Sequence, residues 1–214
     1  MTNSIADIRK EYKLKTLNKA DADPDPFVQF NKWWDEAMMS NIEEVNAMTL
    51  ATADLNGKPS ARIVLLKGFD ERGFIFYSNY KSHKGKDINE NNQVSLVFFW
   101  KELERQIRVE GTVSKLSVAE SETYFNSRPT ASKIGAWASP QSNIITSRKI
   151  LEDNFTEVEM NFAGKDIDIP PHWGGYIVTP ILLEFWQGRR SRLHDRIQYT
   201  RQENTGWKVE RLAP

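Results

Sequence analysis

Residues 47–78 read AMTLATADLNGKPSARIVLLKGFDERGFIFYS. Apolar and β-branched runs are punctuated there by Asn56-Gly57 and Arg72-Gly73, a pattern that predicts three strands joined by tight turns. Tight turns can join only antiparallel neighbours, so this stretch commits the chain to an antiparallel sheet. Two further strands are predicted over QVSLVFFW and RQIRVEGTVSKLS, connected through KELE, and GGYIVTPILLEFWQG returns to strand. The end, RIQYTRQENTGWKVERLAP, reads as a hairpin turning at Asn204-Thr205-Gly206. Six to eight antiparallel strands with helices inserted between them predict an α+β protein, mainly β, built on a barrel.

The helices announce themselves by their caps. In DPDPF, Asp25 is an N-cap and Pro26 the first helical residue. Phe27, Phe30, Trp34 and Met38 follow at helical spacing, so this helix should run to about Asn41. A short polar helix is expected across SHKGKDINEN, and Ser117 with Glu120 forms a capping box opening a helix through Tyr124. Arg128-Pro129 interrupts it, and Pro129 can start a new short helix at its first position. SRKILEDNFTEVEMNF is a further amphipathic helix. With no repeat and no Pro/Gly-rich linker, residues 25–214 are read as one domain preceded by a flexible arm, residues 1–24.

Composition narrows the function. Lys+Arg and Asp+Glu both count 29 in 214 residues, so no global field draws in nucleic acid or an anionic membrane. The first residues lack an apolar signal core and no stretch approaches membrane-spanning length, so a soluble protein is expected. Zero cysteines excludes thiol nucleophiles and thiolate metal sites and fits a reducing cytoplasm. His83, His172 and His194 are not in metal-ligand spacing, and no glycine-rich dinucleotide or P-loop signature occurs. If phosphate is bound, side chains must do much of the work.

Cationic groups cluster in three places. Four arginines fall between Arg189 and Arg196, directly after Phe185 and Trp186. If residues 192–196 are extended, Arg192, His194 and Arg196 share one face; a solvated edge strand would look the same. Arg62 and Lys67 flank the apolar run IVLL; five residues apart, they fall on opposite faces of a regular strand, which favours two ligands over one. In YFNSRPTAS, Arg128 and Ser132 sit at a helix start, a good anion site as well as an ordinary corner. Ser78, His83 and Lys84 before the short polar helix make a weaker case of the same kind.

Taken in order, RKEY, RIVLLK, FYSN, LERQ, YFNSRP, IGAWAS-QS, EFWQG, RLHDR and the terminal RLAP resemble the pyridoxine/pyridoxamine 5′-phosphate oxidase family over nearly the whole chain. The resemblance implies an FMN-binding split β-barrel acting as a homodimer, with two active sites at the subunit interface. It implies oxidation of pyridoxamine 5′-phosphate or pyridoxine 5′-phosphate to pyridoxal 5′-phosphate, with O2 as acceptor and H2O2 released. By that likeness Arg62 and Lys84 hold the FMN phosphate, within a cofactor-binding stretch that continues through Ile63, Val64, Leu65, Leu66 and Lys67. Tyr77 and Ser78 lie beside the cofactor, and Gln106, Gln141, Ser142, Trp186 and Arg196 contact the rest of it. His83 replaces an arginine frequent in relatives and would bind phosphate in its protonated form. Lys67, Tyr124, Arg128 and Ser132 grip the substrate phosphate. Arg192 and His194, with Leu193 between them, orient the pyridine ring, and Arg9, Lys10, Glu11 and Tyr12 belong to a segment that folds over the substrate. A split-barrel flavin reductase would need the FMN residues but not Lys67, Tyr124, Arg128 and Arg192. A single-strand nucleic-acid module is disfavoured by the zero net charge.

Overall fold

The computed structural model describes residues 4–8, 10–203 and 206–214. Its elements in chain order are α1 (Pro26–Met38), β1 (Ala47–Ala53), β2 (Pro59–Leu65), β3 (Gly68–Asp70), β4 (Gly73–Asn79), α2 (His83–Glu90), β5 (Gln93–Trp100) and β6 (Arg105–Lys115). Then follow α3 (Val118–Asn126), α4 (Thr130–Ala138), α5 (Lys149–Asn161), β7 (Trp173–Gln187), β8 (Asp195–Gln202) and β9 (Gly206–Leu212). The strands hydrogen-bond in the order β2-β1-β5-β6-β7-β4-β3, with β8 on β7 and β9 on β8. This is the expected mainly-β split barrel with flanking helices, and the short β3 brings the strands among the described residues to nine.

Two departures from the sequence reading have physical causes. The second predicted strand is broken at Leu66-Lys67, because the chain changes partner there: β2 pairs with β1, whereas β3 pairs with β4 from Gly68↔Ile75 onward. Lys67 donates its N–H to Ile75 O at 2.8 Å across that switch. Arg62 and Lys67 therefore do not share one regular strand, and strand alternation does not set their faces. In the C-terminal arginine stretch, residues 190–192 form a 3-10 turn and β8 begins only at Asp195, so strand alternation does not place Arg192. Ser191 (φ 55°) and Arg192 (φ 60°) are both left-handed, a conformation that costs a non-glycine residue about 1–3 kcal/mol.

Helix α1 has the predicted cap, Asp25 accepting from Phe27 N, but it ends at Met38 and turns a different stripe inward. Phe30, Trp33 and Ala37 are buried while Met38 is largely exposed, since i, i+3 and i+7 share one face at 100° per residue. Pro129 is the N-cap of α4 rather than its first residue. The Ser117–Glu120 capping box is present in full. Of the C-terminal hairpin turn, Asn204 and Thr205 lie outside the described residues; β8 and β9 close on Gln202↔Gly206.

The chain divides into two compact units, one of Met1–Leu50, Ser95–Gly111 and Pro180–Pro214, the other of Ala51–Val94 and Thr112–Thr179. The first is centred on aromatic contacts, Phe30 with Phe98 at 5.4 Å, Trp33 with Phe185 at 5.2 Å and Phe185 with Tyr199 at 5.5 Å. In the second, Phe76 stacks on Tyr176 at 5.3 Å, and β4 pairs with the first half of β7 from Asn79↔Trp173 to Phe74↔Val178. That pairing sets the end of β4, and with it the loop that leads into α2. Ser82 caps α2 through Gly85 N, and a Cβ on Gly85 would lie 2.2 Å from Tyr80 O. Alanine gains about 1 kcal/mol of helix propensity over glycine, but here it meets backbone that cannot swing away. Gly85→Ala should therefore lower stability by about 1–3 kcal/mol, read as a lower urea midpoint at unchanged m-value.

Candidate functional site

A cavity of about 660 Å³ opens in the second unit, within the size range of cofactor sites. Its walls bring together Ile63, Val64, Leu65, Lys67, Tyr77, Ser78, Lys84, Tyr124, Arg128, Ser132 and Gln141, all singled out by sequence. Two of them converge on an oxygen of a third: Gln141 Oε1 accepts from Lys84 Nζ at 3.3 Å and from Ser78 Oγ at 3.5 Å. Lys84 Nζ also reaches Ser82 Oγ at 3.3 Å. Burial lowers the Lys84 pKa, and the nearby charge of Arg62 lowers it further. A lysine desolvated beside another cation is set up to receive an anion, whose charge would relieve both effects.

Arg62 does not itself line the cavity. Its guanidinium donates to Thr52 Oγ1 at 2.7 Å and Ser60 Oγ at 2.6 Å, with Asp87 Oδ2 at 3.7 Å. Burial lowers its pKa while Asp87 works against that shift. His83, at the start of α2, is mostly exposed with Nε2 3.6 Å from Asp87 Oδ1, and Leu66 is buried away from the cavity. Ser142 is exposed at φ 70°.

Other lining residues are aromatic. Tyr77 stacks on Tyr124 at 3.9 Å and on Trp173 at 5.4 Å. The Arg128 guanidinium lies 4.6 Å from the Trp173 ring centroid and 5.5 Å from that of Phe125. These rings hold the fork in place, yet Arg128 Nη1 is buried with no hydrogen-bond partner. A buried donor left unmade costs about 1–3 kcal/mol; Arg128 lines the cavity, and a phosphate or carboxylate held there would compensate its guanidinium charge. Trp173 was missed by the sequence reading; a lone tryptophan before a glycine pair carries no signal beyond core packing.

The other candidates belong to the first unit. Tyr12 meets Trp186 edge-on at 5.7 Å and lies 5.9 Å from His194, and Trp186 and His194 are 4.5 Å apart. His194 Nδ1 accepts the Arg189 N–H at 3.1 Å, so the neutral ring carries its proton on Nε2. Burial, with the charge of Arg192 adding to it, lowers the His194 pKa. Arg196 is clamped by the buried Glu184 through Nε at 2.7 Å and Nη2 at 3.0 Å, and also donates to Ala213 O. Arg189, which had no role from sequence, pairs with Asp195 at 2.8 Å. Arg192, Leu193 and Glu11 are exposed, Gln106 is half-buried on β6, and Lys10 Nζ lies 3.4 Å from Glu104. Arg9 lies outside the described residues.

Comparison with known proteins gives a consistent picture. The family described as "Pyridoxamine 5'-phosphate oxidase" matches residues 34–162, and the "Pyridoxine 5'-phosphate oxidase C-terminal dimerisation region" matches residues 173–214. A pyridoxine/pyridoxamine 5′-phosphate oxidase of Nostoc punctiforme is 52% identical over 214 residues, covering 100% of both chains. One of Burkholderia mallei is 54% identical over 213 residues, covering 99% of both. Among solved structures, PhzG from Burkholderia lata, in complex with tetrahydrophenazine-1-carboxylic acid, superposes with a TM-score of 0.88 at 29% identity, covering 94% of this chain and 99% of that one. An FMN-binding protein of Nostoc punctiforme related to pyridoxamine 5′-phosphate oxidase shares the fold at a TM-score of 0.70 and 18% identity, covering 88% of this chain and 98% of that one.

The depressed Lys84 pKa has a direct consequence. The ammonium that attracts an anion is present below its pKa and lost as pH rises through it, sooner than for an exposed lysine. Affinity for inorganic phosphate, measured by titration calorimetry, should weaken on the alkaline side in the wild type and persist to higher pH in Lys84→Arg.

Proposed function

The chain belongs to the pyridoxamine 5′-phosphate oxidase family, and from that premise we propose that it oxidises pyridoxamine 5′-phosphate or pyridoxine 5′-phosphate to pyridoxal 5′-phosphate, using FMN and O2. The observation that carries this reading is a single cavity lined by Arg128, whose buried Nη1 has no hydrogen-bond partner, and by Lys84, Ser78 and Gln141, which are linked by hydrogen bonds. Two separate anion anchors suit two phosphorylated molecules. The donor set also fits FMN, with a desolvated lysine for its phosphate and Ser78 and Gln141 for polar contacts.

In this reading Lys84 holds the FMN phosphate, and Arg62 supports it from behind by raising the local positive potential. Residues 63–67 run along the cofactor, with Tyr77, Ser78, Gln106, Gln141, Ser142, Trp186 and Arg196 as its other contacts. Lys67, Tyr124, Arg128 and Ser132 hold the substrate phosphate, the Arg128 fork being kept flat by Trp173. The chemistry that bound FMN supplies is hydride acceptance from C4′ and reoxidation by O2 with release of H2O2. Arg192 and His194 orient the pyridine ring, and a fixed ring and phosphate together can remove roughly 7–11 kcal/mol of a barrier by orientation alone. A homodimer with active sites at the subunit interface completes the proposal, supported by the dimerisation region matched at residues 173–214. A cytoplasmic setting agrees with the absence of cysteine. Relatives above 50% identity along the full chain favour this substrate class over the ligand of the 29% identical PhzG.

The test is the visible spectrum of the purified protein before and after anaerobic addition of pyridoxamine 5′-phosphate. Flavin bands that bleach support the proposal; a colourless protein that fails to take up FMN overturns it. Within the site, Arg192→Ala should lose more in turnover than in FMN affinity and Arg62→Ala the reverse, measured by steady-state kinetics and FMN titration. Equal losses on both measures in both variants would remove that division of labour.

A further inference from the structure

Glu104 belongs to one of the sequence motifs that carried the family resemblance, yet the reaction as proposed gives it no part. It is 2% exposed and left-handed, at φ 54° and ψ 42°, just before β6. A buried carboxylate in a strained backbone position calls for partners that compensate it. Its partners are in the N-terminal segment. Oε2 accepts the consecutive N–H groups of Lys13 at 2.7 Å and Leu14 at 3.0 Å, and Oε1 lies 3.4 Å from Lys10 Nζ. Burial pushes the Glu104 pKa up, but the Leu14 and Lys13 amides and Lys10 together hold it below the ordinary value, so the clamp stays charged at neutral pH.

The main chain of the same residue fixes the other side of the contact. Glu104 O accepts the Gly188 N–H at 2.7 Å and Gln187 Nε2 at 3.2 Å. Gly188 matters because it has no side chain: a Cβ there would lie 2.7 Å from Tyr12 Cγ and 3.1 Å from Glu104 Cβ. One residue therefore ties residues 13–14 by its carboxylate and residues 187–188 by its carbonyl. Between those ties the Tyr12 ring is seated edge-on to Trp186 and beside His194.

We propose that Glu104 is a positioning residue for substrate binding: it clamps the N-terminal segment so that Tyr12 is held against Trp186 and His194 before substrate arrives. Only the identity of what Tyr12 closes over rests on the function proposed above. The clamp removes the ordering cost that a free segment would incur on each binding event, so its loss appears in KM before kcat.

The test is a mutant cycle in the FMN-loaded enzyme, read together with hydrogen exchange at the Lys13 and Leu14 amides. Glu104→Gln keeps the size and one acceptor but loses the charge, and should raise KM for pyridoxamine 5′-phosphate about tenfold with kcat little changed. Exchange at both amides should accelerate. In a Tyr12→Ala background the same substitution should add little, because the two act through one contact. Gly188→Ala reaches the contact from the other side, by steric displacement of Tyr12, and should reproduce the KM effect if Glu104→Gln folds poorly. Unchanged exchange, or faster exchange with unchanged KM, overturns the proposal, as do KM effects that multiply in the double variant. A wild type that oxidises neither substrate would instead remove the functional reading, and the amide exchange would still decide whether Glu104 holds the segment.

Discussion

Two buried carboxylates, Glu184 and Asp195, decide what the arginine-rich C-terminal stretch can do. A guanidinium is tolerated in a protein interior only when paired, and a pair missing one partner leaves a charge that costs about 3–5 kcal/mol. Glu184 takes both Arg196 and Arg108, and Asp195 takes Arg189 and Arg211 while accepting the Leu17 N–H. The stretch is thus largely neutralised from within. What remains for a ligand is the exposed Arg190 and Arg192, in the turn before β8 where residues 191 and 192 are left-handed. Density of arginine in sequence is a poor guide here; the acids between them sort structural from available cations.

The same rule governs the cavity. Arg62 gives its donors to Thr52 and Ser60 beside Asp87, whereas Lys84 and Arg128 line the cavity with no carboxylate partner among the described residues, and burial lowers the pKa of each. A phosphate site assembled from side chains depends on this contrast between compensated and uncompensated cations, because no glycine-rich loop supplies a ring of amides.

Much of this was legible in the sequence, for identifiable reasons. Asn56-Gly57 and Arg72-Gly73 encode hairpins locally, and the Ser117–Glu120 box encodes a helix start, so these elements are where pattern alone puts them. Lys84, Ser78, Gln141, Tyr124, Arg128 and Ser132 were assigned by motif and do meet in one cavity. The errors lie where tertiary pairing overrides local pattern. Nothing in RIVLLKG announces that the strand trades β1 for β4 after Leu65. The α1 stripe turned on whether Trp33 or Trp34 faces the core, which two adjacent tryptophans leave ambiguous. Trp173 and Glu104 were passed over because their roles consist entirely of contacts with residues distant in the chain.

The cavity walls run from Ile63 to Trp173, and no short segment contains more than a fraction of them. The pocket therefore exists only after β4 has found the first half of β7, about a hundred residues downstream, and the unfolded chain offers nothing equivalent. A molecule that fills it binds the native state alone and draws the folding equilibrium toward itself, by about 2.7 kcal/mol at a hundredfold excess over Kd. The more of that molecule is present, the smaller the unfolded fraction open to a protease.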